Sequence, residues 1–501
     1  MISRRSFLGA GASAVALSTF RAGSVLADTG PHWDQLRQRL HGQLVLPSDA
    51  AYATAKQLDV VQFDVINPQA IAYCANPADV ALCLKFAQDN SVCIAARSGG
   101  HSIGGYSTTH GLVIDVSRLN SVTVGNGTVS LGPGAELVDI ATSLAPSGLA
   151  ISGGYCPTVA AGGYLQGGGV GPLTRHVGIA SDKVTAAQVV LANGHVITAS
   201  PQNNSDLYWA IRGGGGGNFG VVTSYNITPS AVTQVAIASL SWSYDHAVDM
   251  LDGYAQWLVD APRTIGGAAT IVLADAAAGN TPAPAVLMVS VGTAAERDSE
   301  ISRLISLTGA PTSRVTDVVP YQGLMMGLWG CATDTVAQCH RVGASAQGVL
   351  PRPALGLQRG RLFNELMPRS AWEHAVAVFD TGRLAGQTHV LELLPLGGAA
   401  NDLARTATAY VHRDSLFTTG FIADISAPPA SGAATAVAQQ WVDTGFAAVD
   451  PYSNGETYQN FIDPALADWQ QSYYAENYAR LVSVKAKYDP SGVFAFAQSI
   501  R

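Results

Sequence analysis

The sequence predicts an α+β protein of two packed units closed by a helical tail. Three observations carry that expectation. Helical and strand-like hydrophobic periods are mixed up to about residue 235, the pattern changes between 236 and 440, and helical spacing dominates from 434 to 487. At 501 residues the chain exceeds one ordinary core, and its 48% hydrophobic content suffices for more than one.

Taken in order, residues 1–27 carry twin arginines (Arg4, Arg5), a mildly apolar Ala/Gly/Leu stretch and a small-residue site at Val25-Leu26-Ala27. That is the pattern of a twin-arginine export signal, so a secreted protein is expected, exported already folded. Removing the segment, which holds Arg4, Arg5 and Arg21 and no acid, takes the formal charge from −8 to about −11. An acidic surface disfavours nucleic acid as a partner. No later run reaches the roughly 20 apolar residues of a membrane span, so no membrane is expected for the mature form.

Residues 28–65 read as mainly helical, with Trp33, Leu36, Leu40 and Leu44 at helical spacing. Asn76-Pro77 marks a helix start before residues 78–88, and 92–96 read as a buried strand. Strand-like runs follow at 112–116, 121–124, 127–131, 187–191 and 194–198, with Asn-Gly turns at Asn126-Gly127 and Asn193-Gly194. In the middle, 235–242, 283–291 and 388–394 read as strands and 295–307 as a helix. The tail is interrupted around 451–464 and closes on Tyr488-Asp489-Pro490.

Of six cysteines, Cys331 and Cys339 could close a short disulfide, whereas Cys74, Cys83 and Cys93 read equally as buried thiols. None has zinc-ligand spacing, so no metal is expected.

Three glycine-rich segments carry the chemistry: RSGGHSIGGYS (97–107), GGYCPTVAAGGYLQGGGVGPLTRHVG (153–178) and RGGGGGNFG (212–220). Successive glycine amides can converge on an anion, so the first segment is suited to a backbone nest for a diphosphate. No GxGxxG opens a helix with an acid about 20 residues on, and no P-loop is present.

These segments, with the run 111–120 and the run 206–215, resemble the flavin domain of the vanillyl-alcohol-oxidase superfamily. Trp469, Tyr473-Tyr474, Asn477, Arg480-Leu481, Lys485, Tyr488-Asp489-Pro490 and Phe494 resemble the tail of the berberine bridge enzyme-like family, and more loosely its bacterial natural-product tailoring branch. The resemblance implies a two-part FAD-binding domain (28–235 and 441–501) around an α+β substrate domain (236–440) on an antiparallel sheet. It implies FAD attached twice, His101 to the 8α-methyl carbon and Cys156 to ring carbon 6. Imidazole nitrogen and thiolate are nucleophiles suited to an electrophilic flavin.

The same resemblance assigns cofactor contacts to Arg97, Ser98, Gly99, Gly100, Ser102, Gly104, Gly105, Thr158, Gly162, Gly163, Gly167, Gly168, Gly169, Gly171, Leu173, His176, Val221 and Asn460. It makes Tyr458 the base that removes the hydroxyl proton, and Val159 the small residue that goes with oxygen access. Relatives place a polar residue just before a Gly-Gly pair; here Leu394, Pro395 and Leu396 precede Gly397-Gly398. That departure implies a more apolar pocket, with Glu392 or His389 as substitute proton partners.

The implied reaction is oxidation of a small-molecule secondary alcohol to a ketone on a secondary metabolite, with molecular oxygen reduced to hydrogen peroxide. Two alternatives stand beside it. One is a carbohydrate oxidase giving a lactone, with Tyr321 and Trp329 as stacking platforms; the other is a non-catalytic flavoprotein.

Overall fold

The computed structural model describes residues 31–501, so the export signal expected over 1–27 lies outside the described residues. The first sheet holds β1 (Gln43–Val45), β2 (Ala70–Tyr73), β3 (Ile94–Arg97) and β4 (Leu112–Asp115), in the order β1-β2-β4-β3. β2, β4 and β3 run parallel, and β1 is antiparallel to β2. Helix Pro77–Asp89 starts where Asn76-Pro77 placed it: the Asn76 side chain accepts the Asp79 N–H at 3.0 Å.

The helical reading of 28–65 holds only in part. Helix Trp33–Arg39 stops at Leu40, and Leu44 lies in β1. The Asp79 carboxylate accepts the His41 and Gly42 N–H groups, which turns the chain out of the helix and onto β2. Tertiary contacts override the spacing.

The second sheet is antiparallel: β5 (Val122–Val124), β6 (Val129–Leu131), β8 (Val184–Val190), β9 (Val196–Ala199) and β10 (Val221–Ile227), in the order β5-β6-β10-β8-β9. Both Asn-Gly turns connect hairpins in it, with Gly127 at φ +77° and Gly194 at φ +81°. A short ladder of β7 (Leu149–Ala150) and β11 (Ser230–Ala231) leads out of this unit.

The central sheet has seven antiparallel strands: β12 (Gln234–Ser241), β13 (Ile265–Leu273), β14 (Ala283–Ser290), β15 (Ser313–Pro320), β16 (Leu355–Phe363), β17 (Gln387–Pro395) and β18 (Phe417–Ile425). Their order is β15-β12-β14-β13-β17-β18-β16. Helices Ala247–Leu258, Ala294–Thr308, Arg369–Ala377 and Gly432–Val449 cover one face, burying Trp257, Trp372 and Trp441 against Leu391, Leu393 and Phe421. Because side chains alternate along a strand, the even-numbered residues of β17 and β18 point the other way. The last of these helices runs past residue 440, through Val449, still packed on β16 and β18.

The remaining segment returns to the first unit. Lys485 Nζ, buried, donates to Asn218 O at 2.7 Å, to Asp489 at 2.7 Å and to Phe494 O at 2.6 Å. Asp489 in turn accepts the Val493 and Phe494 N–H groups, so the Tyr488-Asp489-Pro490 motif is a clasp. Cys331 and Cys339 form a disulfide; Cys74 and Cys83 are buried, but Cys93 is exposed, not buried as the alternative reading had it. Among the described residues no helix is long and apolar enough to cross a membrane.

Candidate active site

A cavity of about 710 Å³ lies between the two N-terminal sheets, the returning tail and the even face of the central sheet. Its volume is in the range of cofactor and substrate sites. Arg97, Ser98, Gly99, Gly100, His101 and Ser102 form one wall, and Cys156, Val159, Gly162 and Gly163 another. Gly215, Gly216, Gly217 and Val221 supply a third, Tyr458 and Asn460 come from the tail, and Gln358, Glu392 and Asp424 rise from the central sheet.

The two glycine segments meet because one residue has no side chain. A Cβ on Gly99 would stand 2.8 Å from both Ala160 N and Thr158 O. Across that contact the same ring nitrogen, His101 Nε2, lies 2.8 Å from Thr158 Oγ1 and 3.5 Å from Asp59 Oδ1. His101 and Cys156, 55 positions apart in the chain, therefore open onto one cavity.

Tyr458 is set by its hydroxyl. The oxygen accepts the Gly169 N–H at 2.7 Å and the Asn460 Nδ2–H at 2.8 Å, while the ring packs edge-on against Tyr410 and Phe461. Burial pushes the phenol up from its ordinary value, and the two N–H donors work against that by favouring the phenolate. A Cβ on Gly167 would lie 1.9 Å from Asn460 Oδ1, which is why glycine stands there.

Several expected contacts are placed elsewhere. Gly104, Gly105, Thr158, Gly167, Gly168, Gly169, Gly171, Leu173 and His176 do not line the cavity. They frame it: Thr158 holds His101, Gly169 holds Tyr458, and a Cβ on Gly171 would meet Gly153 O at 1.7 Å. Leu173 is core, and the His176 ring is held below its ordinary value by burial and then by Arg263 and Lys183.

The strand before Gly397-Gly398 also reads differently in three dimensions. Leu394 and Leu396 are buried and do not line the cavity; Leu396 packs behind Tyr458 with Tyr410, Val170 and Leu362. Glu392, one of the two substitute partners expected, does face the cavity, with Gln358 Nε2 donating to it at 2.9 Å, beside the apolar Leu357 and Ile422. Burial pushes its carboxyl up to about 7, and burial and then Asp59 push Asp424 up to about 6. His389 lies on the opposite face, fully buried and stacked on Trp441 at 4.1 Å, and is no proton partner for the site. Tyr321 and Trp329 are also buried, in the core beside the Cys156 loop, and are not open stacking platforms.

Sequence reasoning missed Asp59, Gln358 and Asp424, which carry no local signal; glycines 215–217 lie in the third glycine-rich segment it did single out.

Two observations test whether FAD fits. Arg97 Nη1 is buried without a partner, although Nε goes to Asp115 and Nη2 to Ala55 O. A Cβ on Gly163 would meet nothing within 4 Å, so bare backbone faces the cavity there, beside Gly216. A guanidinium donor among glycine amides suits a dinucleotide diphosphate.

The profile described as "FAD binding domain" matches residues 68–200, and that described as "Berberine and berberine like" matches residues 457–501. The chain therefore carries an FAD-binding segment and a berberine-like tail, and it is similar over most of its length to proteins named FAD-linked oxidoreductases and oxidases. An uncharacterized FAD-linked oxidoreductase of Bacillus subtilis is 28% identical over 93% of this chain and 98% of its own length. Chitooligosaccharide oxidase of Gibberella zeae is 28% identical, covering 92% and 93%. The structure of a berberine bridge enzyme-like protein of Physcomitrella patens superposes with a TM-score of 0.81 at 24% identity, covering 93% of this chain and 98% of that one.

The Cys156 thiol is exposed to the cavity, and the enclosing walls, then the carboxylates of Asp59, Asp424 and Glu392, push it above the ordinary thiol value.

Proposed function

We propose that this oxidoreductase carries FAD on two bonds, through His101 and Cys156, and oxidises a secondary alcohol of a hydroxylated secondary metabolite to a ketone. The observation that carries the reading is Tyr458: a phenol oxygen already accepting two N–H bonds, inside the cavity that both attachment residues enter. The two N–H donors favour the phenolate against the burial that holds the phenol above its ordinary value, and the oxygen opens onto the cavity where a hydroxyl proton would be taken.

Bound flavin would supply a hydride acceptor at N5 and pass the electrons to molecular oxygen, giving hydrogen peroxide. Arg97, Ser98, Gly99, Gly100, Ser102, Gly162, Gly163, Val221 and Asn460 would hold it, and Val159 would leave room for oxygen. Glu392 and Gln358, hydrogen-bonded to each other, orient a hydroxylated substrate from the floor. Export by the twin-arginine route suits a protein that takes up its cofactor before leaving the cytoplasm.

A carbohydrate substrate, oxidised to a lactone, is the second reading. The Glu392–Gln358 pair on the floor favours it, as does similarity over most of the chain to a protein named chitooligosaccharide oxidase.

Denaturation tests the attachment. Yellow colour should stay on the wild-type polypeptide and on His101→Ala and Cys156→Ala singly, and leave the double variant; colour released from the wild type by denaturation alone would overturn the reading. Peroxide release with oligosaccharides and with alcohol-bearing natural products then separates the two substrate classes.

A further inference from the structure

The segment from Tyr321 to Arg352 leaves the central sheet after β15 and re-enters it at β16, and along the way it grips both attachment loops. On the Cys156 side, Trp329 Nε1 donates to Gly154 O at 3.0 Å, two residues before the cysteine. The Tyr321 hydroxyl donates to Ile151 O at 3.2 Å and accepts the Gly153 N–H at 3.4 Å. Both rings are buried, at 7% and 5% exposure, in the same core as Leu137 and Ile151.

On the His101 side, Arg341 Nη1 and Arg352 Nε both donate to Leu58 O, at 2.7 and 2.8 Å. That carbonyl adjoins Asp59, whose carboxylate faces His101 Nε2. Between the two grips stand the Cys331–Cys339 disulfide, fully buried, and His340, whose ring lies 3.2 Å from Asp139. The stretch is thus cross-linked within itself and anchored to the first unit.

A carbonyl and an amide immediately before a reactive thiol decide where that thiol points. The Tyr164 hydroxyl also donates to Ser152 O at 2.6 Å and the Tyr155 hydroxyl to Gly267 O of β13 at 2.9 Å, but of the backbone groups nearest the cysteine, Gly153 N–H and Gly154 O are taken by Tyr321 and Trp329. We infer that Trp329 and Tyr321 are positioning residues for the Cys156 attachment, holding its loop so that the sulfur reaches the flavin ring. The inference rests on the two-bond reading above.

In that attachment the S–H and ring C–H bonds break and the S–C bond forms. The two protons and two electrons released pass through the flavin to molecular oxygen as hydrogen peroxide. The brace adds no chemistry to this; it shortens the search for the bonding geometry.

The test is proteolysis and mass spectrometry of purified holoenzyme, reading the flavin adduct on the His101 peptide and on the Cys156 peptide separately. Trp329→Phe keeps the ring and removes the N–H. The adduct on the Cys156 peptide should form roughly ten- to hundredfold more slowly, while the His101 adduct stays complete. Equal adduct rates at Cys156 in wild type and variant would overturn the inference. A wild-type Cys156 peptide with no adduct would instead overturn the two-bond reading. Should Trp329→Phe fail to fold, Tyr321→Phe, which removes one hydroxyl, carries the same expectation and the same refutation.

Discussion

Replacing Tyr458 with Phe deletes one oxygen atom and separates a catalytic role from a structural one. The ring would stay, held edge-on by Phe461 at 5.0 Å and Tyr410 at 6.0 Å between centroids. The two groups that donate to the hydroxyl, Gly169 N–H and Asn460 Nδ2–H, would lose their acceptor. Each buried donor left unpaired costs about 1–3 kcal/mol, although Asn460 also donates to Tyr164 O and softens the loss on its side. Stability should fall by roughly 2 kcal/mol, too little to unfold a chain of this size. The chemical loss should be larger: a positioned base is worth roughly 10²- to 10⁴-fold in rate. The assay is anaerobic rapid mixing with whichever alcohol supports peroxide release, following flavin bleaching, with thermal unfolding in parallel. Re-oxidation of pre-reduced flavin by oxygen should be unchanged, because it needs no base at that position. Bleaching within roughly threefold of wild type, on a variant that retains its flavin, would refute the assignment of Tyr458 as base.

Two further outcomes follow from buried charges. Lys485→Ala should destabilise the fold by about 3–5 kcal/mol in denaturant unfolding, because it strands the buried Asp489 carboxylate. Burial alone would raise the Glu456 carboxyl, but His412 and Arg405 outweigh it and hold it at about 2. A depressed folded-state value contributes stability that is complete above the unfolded value near 4.5 and vanishes as pH falls through about 2. Wild type should therefore exceed Glu456→Gln by its full margin near pH 5, and the margin should shrink to nothing towards pH 2, as read by unfolding titrations.

Much of the first unit was legible because its signals are local. Asn76-Pro77 caps a helix with its own side chain, and an Asn-Gly pair closes a hairpin with its own backbone. Four central strands, β13, β15, β16 and β18, escaped notice, three of them for the opposite reason. β16 reads Leu355-Gly-Leu-Gln-Arg-Gly-Arg-Leu-Phe, with two arginines that are tolerated only because Asp443, Asp463 and Asp450 from the tail pair with them. β13 carries Gly266-Gly267 directly after its first residue, Ile265, and β18 is recognised as a central strand only by its pairing with β17 on one side and β16 on the other.

The sequence by itself determined the α+β class, the FAD-binding and berberine bridge-like character, and the segments that bear His101, Cys156 and Tyr458, since each is written in contiguous residues. Only the tertiary structure decided which of the neighbouring residues face the cavity. Glu392 and His389 lie three positions apart on β17, so alternation sends them to opposite faces, and the packing of four helices on one face settles which face is open. Trp329 and Tyr321 are aromatic residues that could stack on a substrate or pack in a core. Their direction was set by carbonyl and amide groups about 175 and 170 residues away, which no local pattern records.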